Sequence, residues 1–153
     1  AITGDPAGRL EPEQLHWLGQ RLDEAADRPV IVITHHHANP LMTRVDRILM
    51  QNGTAFARVL SRHKDIRQVI AGHVHYTSTA IWHGIPFTTI AGGHYSVQAM
   101  LDPDEPVPHL TGPAQMAVVL GGADGTIVHF DDYINGNPAL APAGQTLRQA
   151  ATA

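Results

Sequence analysis

Two short apolar runs stand out along the chain, and each ends in histidine. Pro29-Val30-Ile31-Val32-Ile33-Thr34 is almost continuously β-branched, the pattern of a strand buried on both faces, and His35-His36-His37 follow it directly. Val69-Ile70-Ala71 reads as a second buried strand; Gly72 then lets the backbone turn, and His73-Val74-His75 follow. In an extended segment, that spacing puts the two imidazoles on one side, roughly 6–7 Å apart at Cα, with Val74 turned into the core. So placed, they suit two ions about 3.5–4 Å apart better than a single ion. One His-x-His after a strand is as readily a surface pair. Two parallel strands that each deliver imidazoles at the carboxyl end match the way open α/β sheets bind ligands.

The remaining pattern supplies the frame. Leu15, Leu18, Leu22 and Ala25 recur at helical spacing, which predicts a helix over 11–26 with Pro12 in its first turn and Glu11 as a poor cap. His16 and Trp17 read as surface and packing residues of that helix. After a loop over 38–43, Val45, Ile48 and Leu49 share one helical face. Asn52-Gly53 interrupts that helix, and Phe56, Val59 and Leu60 continue the stripe to about residue 63. Asp46 and Asn52 read as solvated or capping residues. Hairpins are expected from 77–82 and 87–90 around His83-Gly84, and from 114–120 and 126–131 around the turn 121–125. Four prolines make 101–113 an extended surface loop, and the Ala, Gly and Pro content beyond 134 predicts a mobile tail over 135–153. One domain, 1–134, is therefore expected ahead of the tail.

Composition narrows the chemistry. A chain of 153 residues is one ordinary domain. A net charge of −4, 16% charged residues and no Lys/Arg run leave no electrostatic footprint for nucleic acid. With no cysteine, disulfides, thiolate metal sites and Cys nucleophiles fall away together. No apolar run is long enough to span a membrane and no signal peptide is visible, so a cytoplasmic protein is expected. The chain opens with Ala1 rather than Met, so its natural start is expected upstream. Of the 11 histidines, those of the two strand ends are the candidate chemistry.

The run from Val30 to His37, then Asp46 and Asn52, then Ala71-Gly72-His73-Val74-His75, resembles the calcineurin-like metallophosphoesterases. It is most like their branch that hydrolyses 3′,5′-cyclic nucleotides and related phosphodiesters. Gly8-Arg9-Leu10-Glu11-Pro12-Glu13-Gln14-Leu15-His16-Trp17-Leu18 is similar to that branch's Gly-x-Leu-x-x-Glu-Gln-Leu-x-Trp-Leu helix. The resemblance covers about residues 4–131 and half of the family pattern. The amino-terminal motifs Asp-x-His, Gly-Asp-x-x-Asp and Gly-Asn-His are absent, and Gly4-Asp5 has no strand in front of it. The implied fold class is α/β, the carboxyl-terminal half of a four-layer αββα sandwich.

By position in that family, the resemblance implies that His35 and His73 bind one ion and His75 the other. His36 then faces the substrate phosphate, and His37 lies behind the ligands or at the surface. Within the triplet a slip of one residue stays open. His94, after Ala91-Gly92-Gly93, is either a substrate contact or a loop residue. The implied cofactors are two divalent transition-metal ions of the Mn, Fe or Zn class, which suit neutral imidazole. The bridging Asp, the Asn, the Asp-His pair and the leaving-group His belong to the other half. The function implied is thus a metal-dependent phosphodiesterase with a dinuclear centre and a small-molecule phosphodiester substrate. This chain alone is then expected to be inactive, and to self-associate or pair with the missing amino-terminal half. Two alternatives stay open: a non-catalytic metal-binding remnant, and a mononuclear three-His zinc hydrolase. Ser-His-Asp catalysis is unsupported, since there is no Gly-x-Ser-x-Gly elbow.

Overall fold

A computed structural model describes residues 4–134 apart from His94, Pro103 and Pro113, so the expected tail lies outside the described residues. The first helix, α1 (Pro12–Ala25), starts better than its cap residue suggests, because Gln14 Oε1 accepts a hydrogen bond from the Glu11 N–H at 2.9 Å. Strand β1 (Val30–Thr34) leads through a loop into a 3₁₀ turn, Arg44–Ile48, and then α2 (Gly53–Leu60). The expected interruption at Asn52-Gly53 is where the two helical pieces separate.

Strands β2 (Ile66–Ala71), β3 (Ser78–Trp82) and β4 (Ile85–Thr89) complete a four-stranded sheet in the order β1-β2-β4-β3. The first three in that order are parallel neighbours, and β3 pairs antiparallel with β4. His83 and Gly84 both have positive φ, 51° and 76°, which gives the β3–β4 hairpin the tight turn expected there. The expected loop over 101–113 contains a short strand, β6 (His109–Leu110), paired with β5 (Ser96–Val97). The final hairpin, β7 (Ala114–Gly121) and β8 (Thr126–Ile134), forms a separate two-stranded sheet. It is tied to the main sheet by the Arg67 guanidinium, which donates to the carbonyls of Gly122 and Ala123, and by a Thr77–Gln115 hydrogen bond.

Strand alternation sorts the side chains of the main sheet. Val69 and Phe87 join Leu22, Phe56 and Leu60 in one core cluster beneath the helices, with Val30 and Val32 packed against it. Burying a side chain such as Phe56 or Leu60 contributes about 1.5–3 kcal/mol. The opposite face carries Ile31, Ile33, Gln68, Ile70, Thr88 and Ile81, as their cross-strand partners show. Gln68 and Thr88 are buried there and joined by a 2.6 Å hydrogen bond.

Burial of β1 on both faces is overturned. Val30, Val32 and Thr34 are partly covered, while Ile33 is 78% exposed and Ile31 is also exposed. The cause is position: β1 is the edge of the sheet, with β2 on one side only, and its outward side chains have no layer over them among the described residues. Ile81, on the opposite edge, is 81% exposed on the same face.

Candidate metal centre

β1 and β2 run parallel and in register from Ile31↔Gln68 to Thr34↔Ala71, so both end at the same edge of the sheet. This brings together residues 38 apart in sequence. The Gly72 N–H donates to the His35 carbonyl at 3.0 Å, and the Thr34 hydroxyl donates to the His36 carbonyl at 2.9 Å. Both links shape the bend that follows each strand.

The second strand end is not extended. His73 and His75 have φ of 73° and 56°, the left-handed region that costs an L-residue energy. The Val74 N–H donates to the Gly72 carbonyl at 2.9 Å, closing a three-residue turn about His73. The expected extended geometry, with both imidazoles aligned on one side, is therefore corrected. Two sign reversals of φ send the rings to different partners, although Val74 does enter a core with Val45, Tyr76 and Val97. Strained backbone of this kind persists only where the surroundings over-determine it.

His73 joins His35 and His36. His35 Nε2 lies 3.1 Å from His73 Nδ1, the ring centroids of the three are 4.3–4.9 Å apart, and one nitrogen from each falls within 4.8 Å of the others. His36 Nε2 donates to the Pro6 carbonyl at 3.2 Å, which leaves its Nδ1 as an acceptor. Gly8 makes room for that ring: a Cβ there would stand 2.4 Å from His36 Cγ. Gly8 is held in turn by Gln51, whose N–H donates to the Gly8 carbonyl at 2.7 Å. Asn52 secures the same segment, donating to the Leu10 carbonyl at 2.7 Å and accepting from the Leu10 N–H at 3.0 Å. Asn52 thus pins the start of α2 to the approach of α1.

The electrostatics favour coordination over protonation. Burial, reinforced by the neighbouring His36 and His35, holds the His73 pKa down to about 4; burial also lowers that of His36. Neutral imidazoles are what a divalent ion requires. Two nitrogens 3.1 Å apart have the separation of adjacent ligands on one ion about 2.1 Å from each, near a right angle. The donor set therefore fits a transition-metal ion. No carboxylate joins the group among the described residues.

His75 lies outside this group. Its Nδ1 donates to the Tyr95 carbonyl at 3.0 Å, and its ring stacks on the Tyr95 ring. His73 and His75 nevertheless line one cavity of about 250 Å³, together with Arg44, Arg47, Tyr95 and Val107. His94 lies outside the described residues. His37 is fully buried, which overturns the surface alternative for it. Its Nε2 is 3.6 Å from Asp46 Oδ1, and burial lowers its pKa against the pull of that carboxylate. Asp46 is no ligand of the histidine group either. Its two oxygens accept the Leu41 and Met42 N–H groups, each at 2.9 Å, and so clamp the 38–43 loop.

Gly8, Gly92 and Tyr95 are the shaping residues that sequence patterning passed over. Gly8 carried a signal, since it opens the Gly-x-Leu-x-x-Glu-Gln-Leu motif; Tyr95 carried none.

No family model matches the chain. Among curated proteins it is similar to the cAMP/cGMP dual specificity phosphodiesterase of Mycobacterium tuberculosis, at 30% identity over 97 residues, 63% of this chain and 30% of that protein. A probable glycerophosphodiester phosphodiesterase, GpdQ, of Arcobacter nitrofigilis is 29% identical over 108 residues, 68% of this chain and 39% of that protein. Among solved structures, a dimetal phosphatase from Danio rerio aligns with a TM-score of 0.48 and 21% identity, over 71% of this chain and 34% of that one. The chain spans well under half the length of the curated relatives it matches.

Proposed function

We infer that this chain, which is related to the calcineurin-like metallophosphoesterases, is the carboxyl-terminal half of a metal-dependent phosphodiesterase domain, occupying 1–134. The observation that carries the reading is the 3.1 Å approach of His35 Nε2 to His73 Nδ1 across two parallel strand ends. A chain whose relatives are phosphodiesterases has a chemical use for such a pair. Cyclic nucleotides and glycerophosphodiesters, named for those relatives, define the substrate class: small phosphodiesters.

In this reading His35 and His73 hold one divalent ion of the Mn, Fe or Zn class and His75 holds the other. When bound, the two ions supply an acidified water and positive charge for the phosphate oxygens. The protein's own residues do the rest. His73 stays neutral, so its lone pair is available at ordinary pH. His36, with its Nε2 proton committed to Pro6 and its pKa lowered by burial, is a neutral imidazole standing beside the pair, where a substrate phosphate would lie. Arg44 and Arg47, on the cavity wall, add positive charge for an anionic substrate. The carboxylates that complete a dinuclear centre come from outside the described residues. No helix among the described residues is long and apolar enough to cross a membrane.

A second reading has its own support. The convergence of His35, His36 and His73 favours a single ion with three imidazole ligands, as in mononuclear zinc hydrolases. Bound metal and hydrolysis, measured together with manganese and with zinc, decide between the two. Two ions in the intact protein, with preference for cyclic AMP or a bis-aryl phosphate over an aryl monoester, support the dinuclear phosphodiesterase. One ion with turnover by the chain alone supports the mononuclear site, and tenfold preference for the monoester removes the substrate assignment.

A further inference from the structure

We propose that Tyr95 is the positioning residue for His75, fixing its imidazole as the Nδ1–H tautomer so that Nε2 is the nitrogen offered to a metal ion. The proposal rests on the reading of His75 as a ligand and adds which atom binds and what holds it there. The Tyr95 carbonyl lies 3.0 Å from His75 Nδ1. A carbonyl only accepts, so Nδ1 carries the proton, and in the neutral ring the lone pair is on Nε2. The phenol ring of the same residue lies on the imidazole, with centroids 4.0 Å apart and planes at 21°, and blocks rotation of the ring.

Two more contacts from the same segment converge on His75. A Cβ on Gly92 would stand 2.5 Å from His75 Nδ1, so only glycine lets the backbone pass the ring this closely. The Val97 N–H donates to the His75 carbonyl at 3.0 Å. Gly92, Tyr95 and Val97 therefore grip both the ring and the backbone of a residue whose φ of 56° needs outside support. A proton donated to a carbonyl from the nitrogen that does not bind is the usual support of a metal-ligating histidine.

The test uses the full chain labelled with ¹⁵N at histidine, and reads tautomers from long-range ¹H–¹⁵N spectra before and after zinc is added. The expected result without metal is a protonated Nδ1 and an unprotonated Nε2 at His75. Tyr95→Phe, which keeps both ring and carbonyl, leaves that pattern unchanged. Tyr95→Ala keeps the backbone carbonyl but removes the ring that stops the imidazole from turning out of that hydrogen bond, so His75 moves toward mixed tautomers and zinc binding at its Nε2 weakens by about 10–100-fold. In Tyr95→Ala the His35 and His73 signals stay as they are. Gly92→Ala displaces the ring and gives the same loss; where it unfolds the chain, as backbone amide spectra report, Tyr95→Ala decides alone. An Nε2–H tautomer in the wild type overturns the proposal, and so does a Tyr95→Ala variant with unchanged tautomer and zinc affinity. Zinc that binds no histidine, in a wild type showing the stated tautomer, sinks the metal-centre reading and leaves the positioning of His75 supported.

Discussion

His35 Nε2 and His73 Nδ1 meet at 3.1 Å from the ends of two neighbouring parallel strands. Because β1 and β2 are in register up to Thr34↔Ala71, the sheet brings the two strand ends together, and the turn about His73 completes the approach. Removing either imidazole should therefore remove affinity for the ion and little else. His35→Ala is expected to weaken manganese or zinc binding at least tenfold. Its cost in stability should be within about 0.5 kcal/mol, since His35 is exposed. Titration calorimetry and a thermal melt on the same variant check both halves, and undiminished affinity would remove His35 from the site.

Gly8 bears on the same cluster from the other side. A Cβ there meets His36 Cγ at 2.4 Å, Cβ at 2.8 Å and Nδ1 at 2.8 Å, at a segment held by backbone hydrogen bonds on both sides. Neither the ring nor the backbone can give way cheaply. Gly8→Ala should destabilise the fold by about 1–3 kcal/mol, the usual cost of overpacking. Gly121→Ala, where nothing lies within 4 Å, is the control. Equal denaturation midpoints for the two variants would show that Gly8 is not needed for space.

The strands, the hairpins and the gathering of histidines at two strand ends were legible because each depends on local pattern. A β-branched run before His35, helical spacing from Leu15 to Ala25, and His83-Gly84 between two apolar runs all speak without reference to distant residues. The divergence of His73 and His75 was not legible, because alternation assumes negative φ and nothing in His-x-His announces two left-handed residues. The edge position of β1 was hidden for a different reason. Its composition is that of an interior strand, and exposure of Ile33 depends on which neighbours the sheet has. Tyr95 grips His75 from 20 residues away, and Asn52 reaches Leu10 across 42. Contacts of that range leave no periodic trace.

Acid should weaken the metal-free fold through His73. Its pKa in the folded chain is held at about 4, by burial first and then by His36 and His35, against 6.5 when unconstrained. Between those values the unfolded chain binds a proton that the folded chain does not, so stability falls as pH drops from about 6.5 toward 4 and is regained above. His36 and His37, also lowered by burial, act with the same sign. Urea denaturation across this range should show the decline, and His73→Gln should make it shallower. An unchanged slope in His73→Gln would mean that His73 titrates normally.

The uncovered face of the sheet makes the last prediction. Ile33 is 78% exposed and Ile81 81% exposed, on the same face and on opposite edge strands, and between them Ile70 is buried. Among the described residues β1 also presents an unpaired strand edge beside Ile33, and an open edge of β-branched residues is a template for pairing with another chain. Apolar surface and open hydrogen-bonding groups at one place favour association by contacts that neither provides alone. The chain of 153 residues should therefore self-associate as its concentration rises. Charge at the edge should oppose this directly. Ile33→Lys places an ammonium where a second strand would have to pack, at little cost to a fold in which that side chain touches mostly water. Light scattering after size-exclusion chromatography should show the wild type growing in mass with concentration and Ile33→Lys remaining close to one chain. If both run as monomers at every concentration, the exposed edge is inert; if both associate equally, the contact lies elsewhere, with the face around Ile81 the next to be changed.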